Sequence, residues 1–263
     1  MSLKDSRVLS DIMTTSVVTV AGGCTVKAAA TLMSGKNIGS VLVIDSERLG
    51  GILTERDLLR FFASGKDAQK IRVSEIMTRE VIYADPKTPL SEAAKILKDH
   101  GFRRLPVIKD GKILGIATGS DLMYGLNSPK VTAKVEDYMC QNTYTLPPEK
   151  TVSDAAKFMV KSNVGSVIAV REGEIAGIIT ERDLLHQVLT GRRNPYTRIE
   201  ELMTSEIISV EPQMAISYLV PLISYYMCRH FPVLGKENKL VGLISERDIL
   251  FALYEYWCTA TVD

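Results

Sequence analysis

The chain has 263 residues, of which 46% are hydrophobic and 24% are charged, and its formal net charge is +1. This length can bury a sizeable core, in one large domain or two ordinary ones, and the composition is typical of a soluble globular protein. The near balance of 32 basic and 31 acidic side chains gives no chain-wide electrostatic reason to expect a nucleic-acid or membrane-surface partner. No apolar run is long enough to cross a bilayer and the first residues lack a signal-peptide core, so a cytoplasmic location is expected.

The chain repeats one pattern four times. Each copy opens on a phrase centred on Met and closes on Thr or Ser, two further residues and Asp. From Met to Asp is 44 residues in the first three copies and 45 in the fourth. A fixed internal period indicates a repeat architecture. The opening residues are Met13, Met77, Met139 and Met203, and the closing residues are Asp57, Asp121, Asp183 and Asp248.

Each copy predicts the same order of elements. A short strand, as at residues 17–20 and 207–210, precedes a helix whose apolar residues recur at i, i+3, i+4 and i+7. Thr25 and Thr151 are predicted N-caps of such helices. Two apolar runs separated by a turn then predict a β-hairpin, and a second helix begins at Thr/Ser-x-x-Asp. One copy is therefore β-α-β-β-α and, at about 60 residues, is too small to supply its own core. The first helices begin at Val26, Leu90, Val152 and Ile216.

The fourth copy departs from this pattern in its first helix. Pro221 lies inside the apolar periodicity, where it is predicted to bend or shorten the helix. Tyr218, Tyr225 and Tyr226 fall in the same stretch. We predict that they pack around the bend, with stacking on a purine as the alternative.

Odd and even copies differ just before the hairpin. The odd copies have Gly39-Ser40 and Gly165-Ser166, whereas the even copies have Arg103-Arg104 and Arg229-His230. The unit of duplication is therefore a pair of copies, which predicts modules at 1–128 and 129–263. The boundary is predicted in the turn-rich residues 125–130.

These motifs together resemble CBS-domain proteins, named for cystathionine β-synthase. The resemblance rests on the Met-Thr opening (Met139-Cys140 in copy three), the small-residue helix, the valine-rich hairpin and the Thr/Ser-x-x-Asp ending, which recur in phase in four copies. It covers residues 9–252, with repeats at 9–60, 73–124, 135–186 and 199–252. It implies an α+β fold in which four CBS repeats form two pseudo-twofold pairs, called Bateman modules. The nucleotide-sensing γ subunit of AMP-activated protein kinase and stand-alone prokaryotic and archaeal proteins share this layout.

The resemblance also implies a ligand and the residues that hold it. Clefts between paired CBS repeats commonly bind adenosine-containing ligands, here AMP, ADP or ATP. The ribose set carried over is Asp57, Asp121, Asp183 and Asp248, with Thr54, Thr118, Thr180 and Ser245 beside them. The phosphate set carried over is Arg103, Arg104, Arg229 and His230. To it the sequence adds the first-turn arginines Arg56, Arg182 and Arg247, which are placed to reach phosphates. Copy two has Ser120 at this first-turn position, so its cleft is the doubtful one.

A structural explanation competes with the ribose assignment. Thr/Ser-x-x-Asp is close to a capping box, in which the N-cap hydroxyl and an acidic N3 side chain satisfy backbone donors at the start of a helix. Four helices need four caps, so recurrence does not by itself establish a ligand. For the basic pairs, adjacent strand residues point to opposite faces, so one of each pair is expected to face the cleft.

The leading hypothesis is a regulatory nucleotide sensor that passes its state to an effector protein. No enzyme activity, cofactor or metal site is expected, because no nucleophile–base arrangement or ligand cluster is visible. The alternatives are a structural adaptor with empty clefts and a nucleic-acid binder using Arg192-Arg193 and the basic pairs. A homodimer is left open. The four cysteines are expected to be free thiols, and His100 and His186 to lie on the surface.

Overall fold

The computed structural model describes residues 7–46, 48–126, 131–191 and 194–260. The α-helices in these ranges are α1 (Val26–Gly35), α2 (Glu55–Ala63), α3 (Leu90–His100), α4 (Gly119–Leu126), α5 (Val135–Tyr138), α6 (Val152–Ser162), α7 (Glu181–Leu184), α8 (Leu219–Tyr226) and α9 (Glu246–Ala260). The strands are β1 (Thr19–Ala21), β2 (Ser40–Asp45), β3 (Arg48–Thr54), β4 (Arg104–Lys109), β5 (Lys112–Thr118), β6 (Thr145–Leu146), β7 (Ser166–Arg171), β8 (Glu174–Thr180), β9 (His230–Leu234) and β10 (Leu240–Ser245). This is the predicted mixed α+β class.

In copies one to three the first helix begins where the apolar periodicity predicts. In α1, α3 and α6 the four stripe residues are buried, and the hydroxyls of Thr25 and Thr151 accept backbone N–H groups in the first turn. In copy four, Ile216–Tyr218 forms a 3-10 turn and α8 begins only at Leu219. Pro221 thus lies in the first turn of α8, where its missing N–H would have no helical partner. The predicted shortening is confirmed.

Each predicted hairpin is present, as the antiparallel pairs β2–β3, β4–β5, β7–β8 and β9–β10. Within the described residues, the strand before the first helix forms only in odd copies, where β1 pairs in parallel with β2, and β6 with β7. At that place the even copies have single parallel bridges, Ala84 to Val107 and Val210 to Val233.

The prediction of a strand at residues 207–210 is therefore wrong, and proline explains the difference. In copy one the Leu42 N–H donates to the Val18 carbonyl, which extends the parallel ladder. The equivalent residues in the even copies are Pro106 and Pro232, which have no N–H to donate. The ladder therefore stops at one bridge.

Residue contacts divide the chain into two compact units. Unit one consists of Met1–Val17, Ile82–Asn142 and Ile208–Asp263, and unit two of Val18–Val81 and Thr143–Ile207. Unit one thus contains the bodies of copies two and four, and unit two those of copies one and three. The predicted modules 1–128 and 129–263 group neighbouring copies instead, and that grouping stays a prediction. Most of the predicted boundary at 125–130 lies outside the described residues.

Each unit is held together by helices from both of its copies. In unit one α9 packs on α3 and α4 around a core that includes Leu97, Phe231 and Leu253. In unit two α2 packs on α6, and a π-helical turn that continues α7, Leu185–Leu189, packs on α1. Burial of these apolar faces supplies the stabilisation that a single copy lacks.

The Met-Thr openings lie on the hairpins of neighbouring copies. Met13 contacts Gly115 of copy two, and Thr14 exchanges backbone hydrogen bonds with Ile116. The equivalent Met–Gly contacts are Met77 with Gly51, Met139 with Gly242 and Met203 with Gly177. A Cβ at any of these glycines would lie within 2.7 Å of the methionine sulfur. The repeated Met, to which the sequence assigned no role, thus packs the opening segment of each copy on a hairpin within the same unit.

Candidate functional site

Every Thr/Ser-x-x-Asp ending forms the cap of a helix. The Thr54 N–H and hydroxyl donate to Asp57 Oδ2 at 2.9 and 2.7 Å, and the Asp57 N–H donates to Thr54 Oγ1 at 3.3 Å. The donor bonds to the aspartate recur at Thr118–Asp121, Thr180–Asp183 and Ser245–Asp248, at 2.6 to 2.9 Å. The motif therefore caps a helix in all four copies, as the structural explanation requires.

The cap engages the same oxygen, Oδ2, of each carboxylate. At Asp57 the other oxygen, Oδ1, is 3.9 Å from an Arg60 nitrogen. A ribose bound here would have to use Oδ1, because Oδ2 already accepts two hydrogen bonds. The predicted ribose role is compatible with capping on this condition.

Two capping aspartates of copy three have pKa values that shift in opposite directions. Asp154 is exposed at the start of α6, and the hydrogen bonds from Thr151 lower the pKa of its carboxyl below the ordinary 3.8. Burial raises the pKa of Asp183 above 3.8, against the hydrogen bonds from Thr180. A lowered pKa stabilises the fold above the unfolded-state value, and this stability is lost on acidification. A raised pKa stabilises it below that value, and this stability is lost as the pH rises through the folded-state pKa.

We therefore expect Asp154→Asn and Asp183→Asn to change the pH dependence of stability in opposite ways. The stability of Asp154→Asn should fall below that of the wild type near neutrality and converge with it on acidification. The stability of Asp183→Asn should rise relative to the wild type as the pH increases from below 3.8. Urea unfolding from about pH 3 to pH 7 measures both differences. Parallel curves for the two variants would contradict the opposite shifts.

In each even copy, the second residue of the basic pair lies directly across the hairpin from the capping Thr or Ser. Arg104 is paired with Thr118, and His230 with Ser245. Side chains of directly opposed strand residues lie on the same face. Arg104 and His230 therefore lie on the faces that carry the capping hydroxyls. The odd copies have Ser40 and Ser166 at these positions.

The first-turn arginines of the odd copies contact carboxylates of the opposite copy in unit two. Arg56 Nε lies 3.2 Å from Glu181 Oε2, and Arg182 Nε lies 2.8 Å from Glu55 Oε1. Arg56 also donates to the Val164 carbonyl, and Arg182 to Asn37. Glu55 and Glu181 are only 2% and 4% exposed, so each arginine neutralises a buried charge. The geometry favours a structural role for these two arginines, and their predicted contact with phosphate stays untested.

Unit one lacks this reciprocal arrangement. Copy two has Gly119 and Ser120 where the odd copies have Glu and Arg. Ser120 donates to Glu246, which also lies 3.1 Å from Arg229 Nε. Arg247 is exposed, and among the described residues no hydrogen bond or ion pair to it is found. In unit two Arg182 contacts Glu55. In unit one Arg247 is equivalent to Arg182, and Gly119 lies where Glu55 would be.

The equivalent positions therefore differ in charge between the two units. In unit two the arginines and glutamates are equal in number, and the strand-start positions carry Gly and Ser. In unit one the same positions carry a single glutamate, Glu246, and a larger number of basic residues, namely Arg103, Arg104, Arg229, His230 and Arg247. The role of these glutamates was not predicted from the sequence. Their signal was a Glu directly after the capping Thr or Ser in copies one, three and four, and a Gly in copy two.

The remaining candidates give no second site. His100 is exposed and stacks on Phe102, as predicted for the surface, but His186 is half-buried, so its surface prediction is wrong. Within the described ranges no cluster of His, Cys, Asp or Glu could hold a metal ion. None of the described helices combines the length and the apolar character of a membrane span. Arg192-Arg193, the suggested nucleic-acid patch, lies outside the described residues.

The model of the CBS domain matches four segments of the chain, residues 9–64, 73–128, 135–190 and 199–255. The chain belongs to the CBS-domain family. Paired CBS domains are a regulatory and ligand-binding module. The matched segments contain each predicted repeat.

Similar proteins support this assignment. Protein MJ1225 of Methanocaldococcus jannaschii is 30% identical over 190 residues, 66% of this chain and 68% of that protein. CBS domain-containing protein YhcV of Bacillus subtilis is 38% identical over 115 residues, 43% of this chain and 81% of that protein. The crystal structure of MJ1225, described as a candidate archaeal homologue of the γ subunit of AMP-activated protein kinase, superposes with a TM-score of 0.83 and 20% identity, covering 93% of this chain and 99% of that one.

Proposed function

We propose that this CBS protein senses an adenosine-containing nucleotide, AMP, ADP or ATP, between CBS repeats and transmits the bound state to an effector protein. The observation that carries the proposal is the excess of basic side chains at the even-copy positions of unit one. A ligand with one to three phosphates carries the anionic charge that arginine and histidine side chains bind.

The ligand contacts follow from the position of each group. Arg104 and His230 lie across from the capping hydroxyls of copies two and four, so a phosphate beside either lies close to a helix N-terminus. Arg247 is an exposed third cation in the first turn of α9. The Oδ1 atoms of Asp121 and Asp248 are the proposed acceptors for ribose hydroxyls. Arg103 and Arg229 lie on the other side of the strand start, where Arg229 contacts Glu246.

The choice of adenosine rests on similarity. MJ1225, whose structure is described as a candidate homologue of the AMP-activated protein kinase γ subunit, shares the fold over nearly the whole chain. The proposed role is regulatory and not catalytic. A ligand changes the effector only if it binds two arrangements of the protein with different affinities. A cytoplasmic location stays a prediction.

We expect AMP, ADP or ATP to raise the melting temperature, and Arg104→Ala and His230→Ala each to weaken binding about 10- to 100-fold, since a charge-assisted hydrogen bond contributes about 1.5–3 kcal/mol. Ser40→Ala and Ser166→Ala change the equivalent odd-copy positions and should leave the affinity within about twofold. Isothermal titration calorimetry measures each dissociation constant. Melting curves without ligand show whether each variant is folded.

Adenosine and inorganic phosphate, titrated separately, report the two halves of the proposed site. A loss of affinity confined to the serine variants would move the site to the odd copies. If AMP, ADP, ATP, S-adenosylmethionine and NADH all leave the melting temperature unchanged at millimolar concentration, the sensor function is wrong. The adaptor function would then stand, because capping alone explains the four aspartates.

A further inference from the structure

The outward face of α8 in copy four is aromatic and exposed. Tyr218, Tyr225 and Tyr226 are 68%, 80% and 49% exposed, and Met227 is 71% exposed. Tyr225 and Tyr226 contact each other edge to face, with ring centroids 4.8 Å apart. The prediction that these tyrosines pack around Pro221 is therefore wrong. Large apolar side chains grouped on one surface mark an interaction site more often than scattered ones do.

The other copies provide an internal comparison for this face. The positions equivalent to Tyr218, Pro221 and Tyr225 are exposed in every first helix. They are occupied by Glu92, Lys95 and Asp99 in α3, by Asp154, Lys157 and Lys161 in α6, and by Ala28, Thr31 and Gly35 in α1. The same structural position is thus solvated in three copies and aromatic in one. Folding of the repeat does not require aromatic side chains here.

The face is free of charge as well as apolar. No charged residue occurs from residue 212 to residue 228. Two copies of such a face can meet about a twofold axis without opposing like charges, whereas the equivalent faces of α3 and α6 would bring like charges together on that axis. The face can therefore contact a second copy of itself without charge repulsion.

The spacing of its side chains suits the same partner. Tyr218 and Tyr225 are seven residues apart, and Pro221 lies between them on the same face. Seven residues span about 10 Å along a helix. In an antiparallel contact centred near Pro221, Tyr218 meets Tyr225 of the partner subunit and the reverse pair forms on the other side of the axis.

The exposed area is enough for a weak interface. At about 200 Å² for each tyrosine, the three exposed rings offer about 400 Å² per copy. Met227 and Pro221 bring the total for two copies to about 1,000 Å², the lower limit for a specific contact. We propose that the outward face of α8 is a homodimer interface, in which the tyrosines of two chains pack antiparallel about a twofold axis.

Sedimentation velocity from about 5 to 200 µM tests this proposal, because a contact of this size is expected to dissociate within that range. The wild type should shift from monomer to dimer. Tyr218→Glu and Tyr225→Glu should each raise the dissociation constant at least tenfold, and together they should leave only monomer. Lys161→Glu, at the position of α6 equivalent to Tyr225, is the matched control and should dimerise like the wild type.

Because the substituted positions are exposed, the variants should stay folded, and their melting temperatures verify this. A wild type that stays monomeric at 200 µM would overturn the proposal and leave the face to another protein. A dimer that persists in the double tyrosine variant would also overturn it, because dimerisation would then use a different surface. Either result is independent of nucleotide binding.

Discussion

We expect Gly177→Ala to lower the free energy of unfolding by about 3 kcal/mol, the upper part of the range for overpacking a well-packed site. A Cβ atom at this position would lie 2.5 Å from Met203 Sδ and 2.9 Å from the carbonyl oxygen of Thr204. The sulfur can rotate away, but the carbonyl cannot, because Thr204 exchanges two backbone hydrogen bonds with Ile178. The opening segment of copy four would have to leave the hairpin of copy three.

Thermal and urea unfolding measure this loss, and a fall in melting temperature of about 6–12 °C is expected for a chain of this size. Gly23→Ala is the matched control, since nothing lies within 4 Å of a Cβ there. Adding Met203→Ala to Gly177→Ala should restore only part of the stability, because the carbonyl contact remains. If the double variant recovered the full stability of the wild type, Met203 alone would require glycine at position 177. If Gly177→Ala lost no stability, the contacts of Gly177 with Met203 and Thr204 would be contradicted.

The second large effect is expected at the reciprocal ion pairs of unit two. Glu55→Gln should lower the free energy of unfolding by about 2 kcal/mol, because it leaves the Arg182 guanidinium without its carboxylate. Loss of one partner from a fully buried pair typically costs about 3–5 kcal/mol, and the 24% exposure of Arg182 reduces that figure. Urea unfolding at neutral pH measures the change.

A double-mutant cycle with Arg182→Gln separates pairing from other effects. The double variant should be more stable than the sum of the two single changes predicts, with a coupling of about 1–2 kcal/mol. Lys95→Ala, which breaks the exposed pair with Asp99, is the control and should change stability by less than about 0.5 kcal/mol. A coupling near zero would mean that the arginines of unit two are available for a ligand.

These pairs give the difference between odd and even copies a physical meaning. The odd copies use Glu and Arg after the capping Thr to neutralise each other across unit two. The even copies keep one such glutamate, Glu246, and add basic residues at the start of the hairpin. Unit two thus pairs arginine with glutamate across its two copies, whereas unit one carries more basic than acidic residues at the equivalent positions.

Local features were predictable because they depend on neighbouring residues. The periodicity from Val26 placed α1, and the hydroxyl of Thr25 marked its start. The Thr54–Asp57 cap needs only a separation of three residues. Pro221 shortened its helix for the equally local reason that it lacks an N–H.

Contacts between distant residues were not predictable in this way. The strand predicted at residues 207–210 did not form because Pro232, in the hairpin that follows, has no N–H to extend the ladder. Tyr225 was predicted to pack around the bend at Pro221, but among the described residues no other element covers that face of α8. Arg56 was assigned to phosphate because it lies in a first helical turn, and its contact with Glu181, 125 residues further along the chain, was not visible in the sequence.

By itself, the sequence determined the four copies, the order of their elements, the caps and the excess of basic residues in the even copies. These follow from spacing, periodicity and residue type, which act over a few residues. Only the tertiary structure decided that Met203 lies on Gly177, that Arg56 neutralises Glu181 and that the tyrosines of α8 remain exposed. The physical reason is that burial and ion pairing depend on which distant segments meet, and four copies with the same order of elements offer several pairings that the local pattern does not distinguish.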